Sequence, residues 1–202
     1  MKLYYAPHAC SLAAHIVLHE IGQPFELVRV NNKTKRTDQG DDFLTINPKG
    51  YVAALQLDDG QVLTEGPVIL QYLADLAPEA GLAPSSGTFE RVRLNEWLSF
   101  INSEVHAGMN PLFNPMLVGE IRTLFENRLS KRLDYLNERL QEHDYLLGAR
   151  FSLADAYLFT VLGWLTVFTM ELERWPALAQ LVERVSSRPA VKAALKAEAQ
   201  AA

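Results

Sequence analysis

The sequence predicts a small α/β domain followed by a larger all-helical domain. Three observations carry this: strand and helix patterns alternate over roughly the first eighty residues, a Pro-, Gly- and Ser-rich stretch follows, and beyond it the periodicity is helical with no strand alternation. The boundaries fall at 1–78 for the first domain, 79–87 for the linker and 88–202 for the helical domain.

Each element of the first domain has a local reason. Lys2 to Ala6 is short, aromatic and bounded by Pro7, as a strand would be. Ser11 to Ile21 spaces Leu12, Ala13, Ile16, Val17 and Ile21 along one helical face and closes on Gly22. Phe25 to Val30 is a second strand, and Asp41 to Ile46 is a helical turn ended by Asn47-Pro48-Lys49-Gly50. Val52 to Leu57 and Gln61 to Leu63 flank Asp58-Asp59-Gly60, whose Asp-Gly step accepts the positive φ of a tight hairpin. A helix opens at Gly66-Pro67, with Val68, Ile69, Tyr72, Leu73 and Leu76 as its buried stripe. The order β-α-β-α-β-β-α, a parallel unit followed by an antiparallel hairpin, is the thioredoxin-like arrangement.

In the helical domain the breaks fall near Asn110 to Pro115, Asp144 to Phe151, Glu173 to Pro176 and Ser187 to Pro189. Leu153 to Met170 is apolar enough to raise a membrane span, but Asp155 within it and the Ser152–Asp155 capping box argue for a buried core helix. The alanine-rich end, Ala190 to Ala202, reads as a fraying helix.

Composition narrows the function classes. Of 202 residues, 49% are hydrophobic and 21% charged, which is the profile of a globular protein rather than a disordered one. The net charge of -5, with both signs interspersed, offers no basic face, so nucleic acid is not an expected partner. A single cysteine excludes an intrachain disulfide and thiolate zinc motifs, and fits the cytoplasm. Pro7 and His8 interrupt the first apolar run before it reaches the length of an export signal, and neither a membrane nor a metal partner is expected.

Four groups of residues bear on chemistry. Cys10 sits where the first strand hands over to the first helix, near helix-start N–H groups that favour thiolate; the alternative is a small buried hydrophobe. Thr64-Glu65-Gly66-Pro67 opens a helix with free N–H groups beside a carboxylate, a pair that suits a ligand carrying both an amine and a carboxylate, or that simply caps the helix. Asn95, Ser99, Ser103 and His106 form a polar stripe opposite Leu94, Trp97, Leu98, Ile101 and Val105, lining a cleft or facing solvent. His15 and His19 lie one turn apart, a solvated or packed pair rather than a metal site.

Together these residues resemble the glutathione transferases, and specifically their bacterial beta class. The resemblance rests on Tyr4-Tyr5-Ala6-Pro7-His8-Ala9-Cys10-Ser11-Leu12, Asn47 to Gly50, Thr64-Glu65-Gly66, Glu96-Trp97-Leu98, Ser103-Glu104-Val105-His106 and Phe151-Ser152-Leu153-Ala154-Asp155-Ala156-Tyr157, spread over nearly the whole chain. It implies a co-substrate, glutathione, with Glu65 and Gly66 on its γ-glutamyl end, Val52 on its cysteinyl backbone, Lys35 on its glycyl carboxylate, and Ser99, Ser103 and Glu104 completing the site. Cys10 and His106 are implied as the catalytic pair, and Trp164 as a wall of the electrophile pocket on the core helix.

The implied reaction is attack of the glutathione thiolate on a small hydrophobic electrophile by a cytoplasmic homodimer. Two other readings share the same residues: a glutathione-dependent thiol-disulfide oxidoreductase or peroxidase using Cys10, and a non-catalytic ligand-binding member of the fold. Three positions depart from the family pattern. Ala53 stands where the family places a cis-proline; a non-proline cis bond costs about 2.5–4 kcal/mol, so Ala53 either adopts it or leaves a distorted glutathione edge, and weaker glutathione binding is expected. Ser99 and Ala107 stand where an asparagine and a lysine are common.

Overall fold

Leu3, Tyr4 and Tyr5 are buried in succession, so β1 (Lys2–Tyr5) has a covered surface on both sides. The computed structural model describes residues 1–200 and puts β1 at the centre of a five-stranded sheet of order β3-β2-β1-β4-β5. β1 pairs in parallel with β2 (Glu26–Asn31) and antiparallel with β4 (Ala54–Gln56), Tyr4 lying opposite Val28 on one side and Ala54 on the other. The parallel step requires a crossover, supplied by helix α1 (Ser11–Ile21). Gly22 closes α1 at φ 64, as its sequence position predicts. β4 turns back into β5 (Val62–Thr64) through Gly60 at φ 87.

One face of the sheet buries Tyr4, Val28, Val30 and Ala54 together with Phe43 of the short helix α2 (Phe43–Ile46). On the other face Tyr5 packs toward His15 of α1, which in turn packs on α3 (Gly66–Leu76). The sequence missed β3 (Arg36–Thr37), because two residues are too few to show alternation; it pairs antiparallel with the end of β2.

The chain divides into two compact units, Met1–Ala83 with the chain from Ser187 onward, and Pro84–Ser186. The first unit therefore takes in α9 (Pro189–Gln200), which packs on α1, where the sequence placed it in the domain at 88–202. Val191, Ala194 and Glu198 recur at spacings of three and four and are all buried. Glu198 finds polar partners in the first helix and its preceding loop, which no local reading of an alanine-rich tail reveals. Ala201 and Ala202, also assigned to this helix, lie outside the described residues.

In the second unit, Thr88 caps α4 (Phe89–Phe100) by accepting the Arg91 N–H. The same rod continues as a π-helical turn, Ile101–His106, and a last α turn, α5 (Ala107–Met109). Helices α6 (Gly119–Gln141), α7 (Leu153–Leu162) and α8 (Pro176–Ser186) follow. Every residue of α7 is buried, and Ser152 and Asp155 form the predicted reciprocal cap at its start. The core helix is shorter than expected: it ends at Leu162, and Gly163 leads into a separate 3-10 turn, Leu165–Phe168. No helix among the described residues is long and apolar enough to cross a membrane.

Candidate active site

Cys10 is the residue before the first turn of α1, and its Sγ–H donates to the Val52 carbonyl at 3.2 Å. The loop leading to it is held at several points. Ala9 N–H donates to Ala6 O at 3.1 Å, the Ser11 hydroxyl bonds the Ala6 backbone at 3.3 Å, and His8, at φ 60, donates its N–H to Glu198 Oε2 at 3.2 Å. Burial pushes the Cys10 thiol up to about 11, and the opposing N–H groups of Cys10, Ala53 and Ser11 do not reverse it. The expectation that the helix start favours thiolate is therefore corrected: desolvation outweighs the helix terminus, and Cys10 is a neutral thiol that donates a hydrogen bond.

Val52 and Ala53 are both buried, and the peptide between them is cis. The turn before them is braced by Asn47, whose Nδ2 donates to Tyr51 O at 2.8 Å and whose Oδ1 accepts the Lys49 N–H at 3.2 Å. Gly50 has φ 70, the left-handed backbone that favours glycine, and a Cβ there would fall 3.1 Å from Leu44 Cδ2, so that exposed side chain would have to shift. Lys35 reaches this segment from the β2–β3 connection, donating through Nζ to Gly50 O at 2.7 Å.

Glu65, itself at φ 70, precedes α3, and Lys49 Nζ lies 2.6 Å from its Oε1. Gly66 and Pro67 follow in the first turn; Pro67 has no N–H, Val68 and Ile69 donate to Glu65 O at 3.0 Å, and the Gly66 N–H precedes any carbonyl its own helix could offer. Among the expected glutathione residues of this unit, the structure thus joins Cys10 directly to Val52 and anchors Lys35 one turn away at Gly50. Lys49, which pairs with the expected ligand group Glu65, was missed; its place in the Asn-Pro-Lys-Gly turn was the available signal.

The expected residues of the helical unit lie along α4 and the π turn. His106 is half-buried, its Nδ1 is 2.6 Å from the Tyr157 hydroxyl, and burial lowers its pKa, so the imidazole is neutral near pH 7. The Ser103 hydroxyl donates to Ser99 O at 2.9 Å, and Glu104 accepts from Arg132 at 2.7 and 2.8 Å. Trp164 lies just beyond α7, edge-on to His106 with ring centroids 4.9 Å apart, and Phe113 packs on both Trp164 and Phe168. His15 and His19 are a packed pair, with centroids 5.0 Å apart and Phe25 edge-on to both.

Two family models match the chain, "Glutathione S-transferase, N-terminal domain" over residues 9–76 and "Glutathione S-transferase, C-terminal domain" over 118–198. The glutathione S-transferase GstA of Escherichia coli O157:H7 is 46% identical over 198 residues, 98% of each chain. A sphingomonad glutathione S-transferase solved in complex with glutathione is 45% identical with a TM-score of 0.95, covering 98% of this chain and 99% of that one. The bacterial beta-class glutathione S-transferase of Sphingomonas chungbukensis is also 45% identical, with a TM-score of 0.94 and 98% of each chain covered. This chain belongs to the glutathione S-transferase family, in its bacterial beta class.

Proposed function

We propose that the protein conjugates the glutathione thiolate to small hydrophobic electrophiles. The observation that carries this reading is the Cys10 thiol donating to Val52 O, because a neutral S–H at that backbone edge can turn its one proton from the carbonyl to a ligand's thiolate and stabilise it. Glu65 and the Gly66 N–H are proposed to take the γ-glutamyl amine and carboxylate, Val52 the cysteinyl backbone and Lys35 the glycyl carboxylate. Ser99, Ser103 and Glu104 are proposed as further glutathione contacts.

Neutral His106 is proposed to accept the proton of the glutathione thiol, so that an S–H bond breaks and an N–H bond forms. The thiolate then forms an S–C bond to the electrophile, whose leaving group departs with its electron pair. The aromatic set of Phe113, Trp164 and Phe168 supports an apolar, ring-bearing electrophile. Thiol-disulfide exchange by Cys10 is disfavoured by its high pKa, since the thiolate is the attacking species.

We also propose a cytoplasmic homodimer. Tyr51 in the first unit and Phe89 and Val92 in the second are large apolar side chains that are 73%, 65% and 55% exposed, and burial against a second copy would remove them from water. Light scattering on the purified protein reads the oligomeric state; a monomer at micromolar concentration sinks this part.

Retention on a glutathione matrix, a glutathione-dependent thermal shift and turnover of an aromatic chloride test the enzyme reading. Absence of both retention and shift overturns it. Cys10→Ala then separates the chemistries: conjugation persists at a reduced rate, whereas a protein that loses disulfide reduction while keeping full conjugation uses Cys10 for redox work alone.

A further inference from the structure

Tyr157 on α7 is 1% exposed, yet its hydroxyl touches two polar groups of the π-helical turn: Asn102 Oδ1 at 2.9 Å and His106 Nδ1 at 2.6 Å. A phenol has one proton to give, and an amide oxygen can only accept. With the proton on the side of Asn102, the phenol presents lone pairs to His106, and Nδ1 must carry the hydrogen of that bond. A neutral imidazole has a single N–H, which leaves Nε2 bare.

Two further observations favour a fixed imidazole. Trp164 lies 4.9 Å from the His106 ring centroid at 66°, and Tyr157 itself lies 5.8 Å away at 81°, so two rings confine the imidazole plane. Asn102 and His106 both belong to the turn Ile101–His106, and single π turns are rare and concentrate at functional sites.

We propose that Tyr157, braced by Asn102, is a positioning residue that holds His106 in the Nδ1–H tautomer and so presents Nε2 as an open proton acceptor. This rests on the reading of His106 as acceptor of the glutathione thiol proton. In that step the thiol S–H bond breaks, its electron pair stays on sulfur, and the proton binds Nε2 to give an imidazolium whose Nδ1–H remains bonded to the phenol. The imidazolium returns its proton to solvent after the S–C bond has formed.

The tautomer is read directly by long-range proton–nitrogen correlation spectra of the ligand-free protein labelled at histidine nitrogen. The expected result is His106 with a protonated Nδ1 and an unprotonated Nε2. Asn102→Ala removes the acceptor from an exposed position, frees the phenol proton to turn to Nδ1, and moves the hydrogen to Nε2. Tyr157→Phe keeps the buried ring and gives a mixture of tautomers. In both variants kcat/KM for chlorodinitrobenzene conjugation falls about two- to tenfold, the effect of one hydrogen bond, and recovers at higher pH as solvent deprotonates the thiol. A wild-type His106 protonated at Nε2, or a tautomer unchanged in both variants, overturns the inference. The spectra require no turnover, so an inactive wild type with the expected tautomer would count against the conjugation reading and leave this assignment standing.

Discussion

His15 Nδ1 and Glu198 Oε1 stand 3.1 Å apart with both side chains at 3% exposure or less, so the first and last helices of the chain share a buried polar contact. The second oxygen of Glu198 takes the His8 N–H, two residues before Cys10. One carboxylate therefore braces both the helix that follows the thiol and the loop that precedes it.

Glu198→Ala leaves a buried imidazole nitrogen and a backbone N–H without their acceptor. The expected loss is about 2–5 kcal/mol of unfolding free energy in urea. A loss below about 0.5 kcal/mol, the size of a typical surface change, would show that the contact is dispensable.

Cys10 should react as a thiol with an elevated pKa. Alkylation by iodoacetamide is expected to be slow at neutral pH and to rise about tenfold per pH unit toward a midpoint near pH 11, as burial dictates. A midpoint at or below pH 8 would restore the helix-start argument that the structure displaces.

Asp155 is fully buried and accepts from Leu146 N, Ser152 N and Ser152 Oγ at 2.7 to 2.8 Å, yet burial raises its pKa to about 6. A carboxyl whose folded pKa exceeds its unfolded value binds more protons when folded, so its contribution falls as pH rises from about 4 to 6. Measured against Asp155→Asn, the wild type is expected to lose about 3 kcal/mol of relative stability across that range. A flat difference would mean that the three donors hold the carboxylate ionised throughout.

Glu65→Gln separates binding from folding. The Lys49–Glu65 pair is more than half exposed on both sides, so unfolding free energy should change by less than about 1 kcal/mol. Glutathione affinity should fall about tenfold with the loss of a charged partner for the ligand's amine. Equal loss of both would make Glu65 a structural residue.

Much of this fold is written in local patterns. The turn at Asp59-Gly60, the stop at Gly22 and the cap at Ser152 and Asp155 each depend on residues within four positions of one another, and all three appear where the sequence places them. What escaped depends on distance along the chain. Glu198 pairs with residues 183 and 190 positions away, and Asn102 and Tyr157 meet across 55, so neither spacing nor composition exposes them. The protonation of Cys10 escaped for a different reason: the sequence shows the helix start beside the sulfur but not the desolvation that the surrounding fold imposes on it.

The placement of α9 also bears on biosynthesis. Because the sheet unit includes the chain from Ser187 onward, it cannot be finished while the ribosome still holds that helix. The intervening helical unit emerges before it, and until α9 leaves the ribosome α1 waits with its buried histidine facing the place that Glu198 will fill. Of the two units, the one that emerges first is thus the later to close.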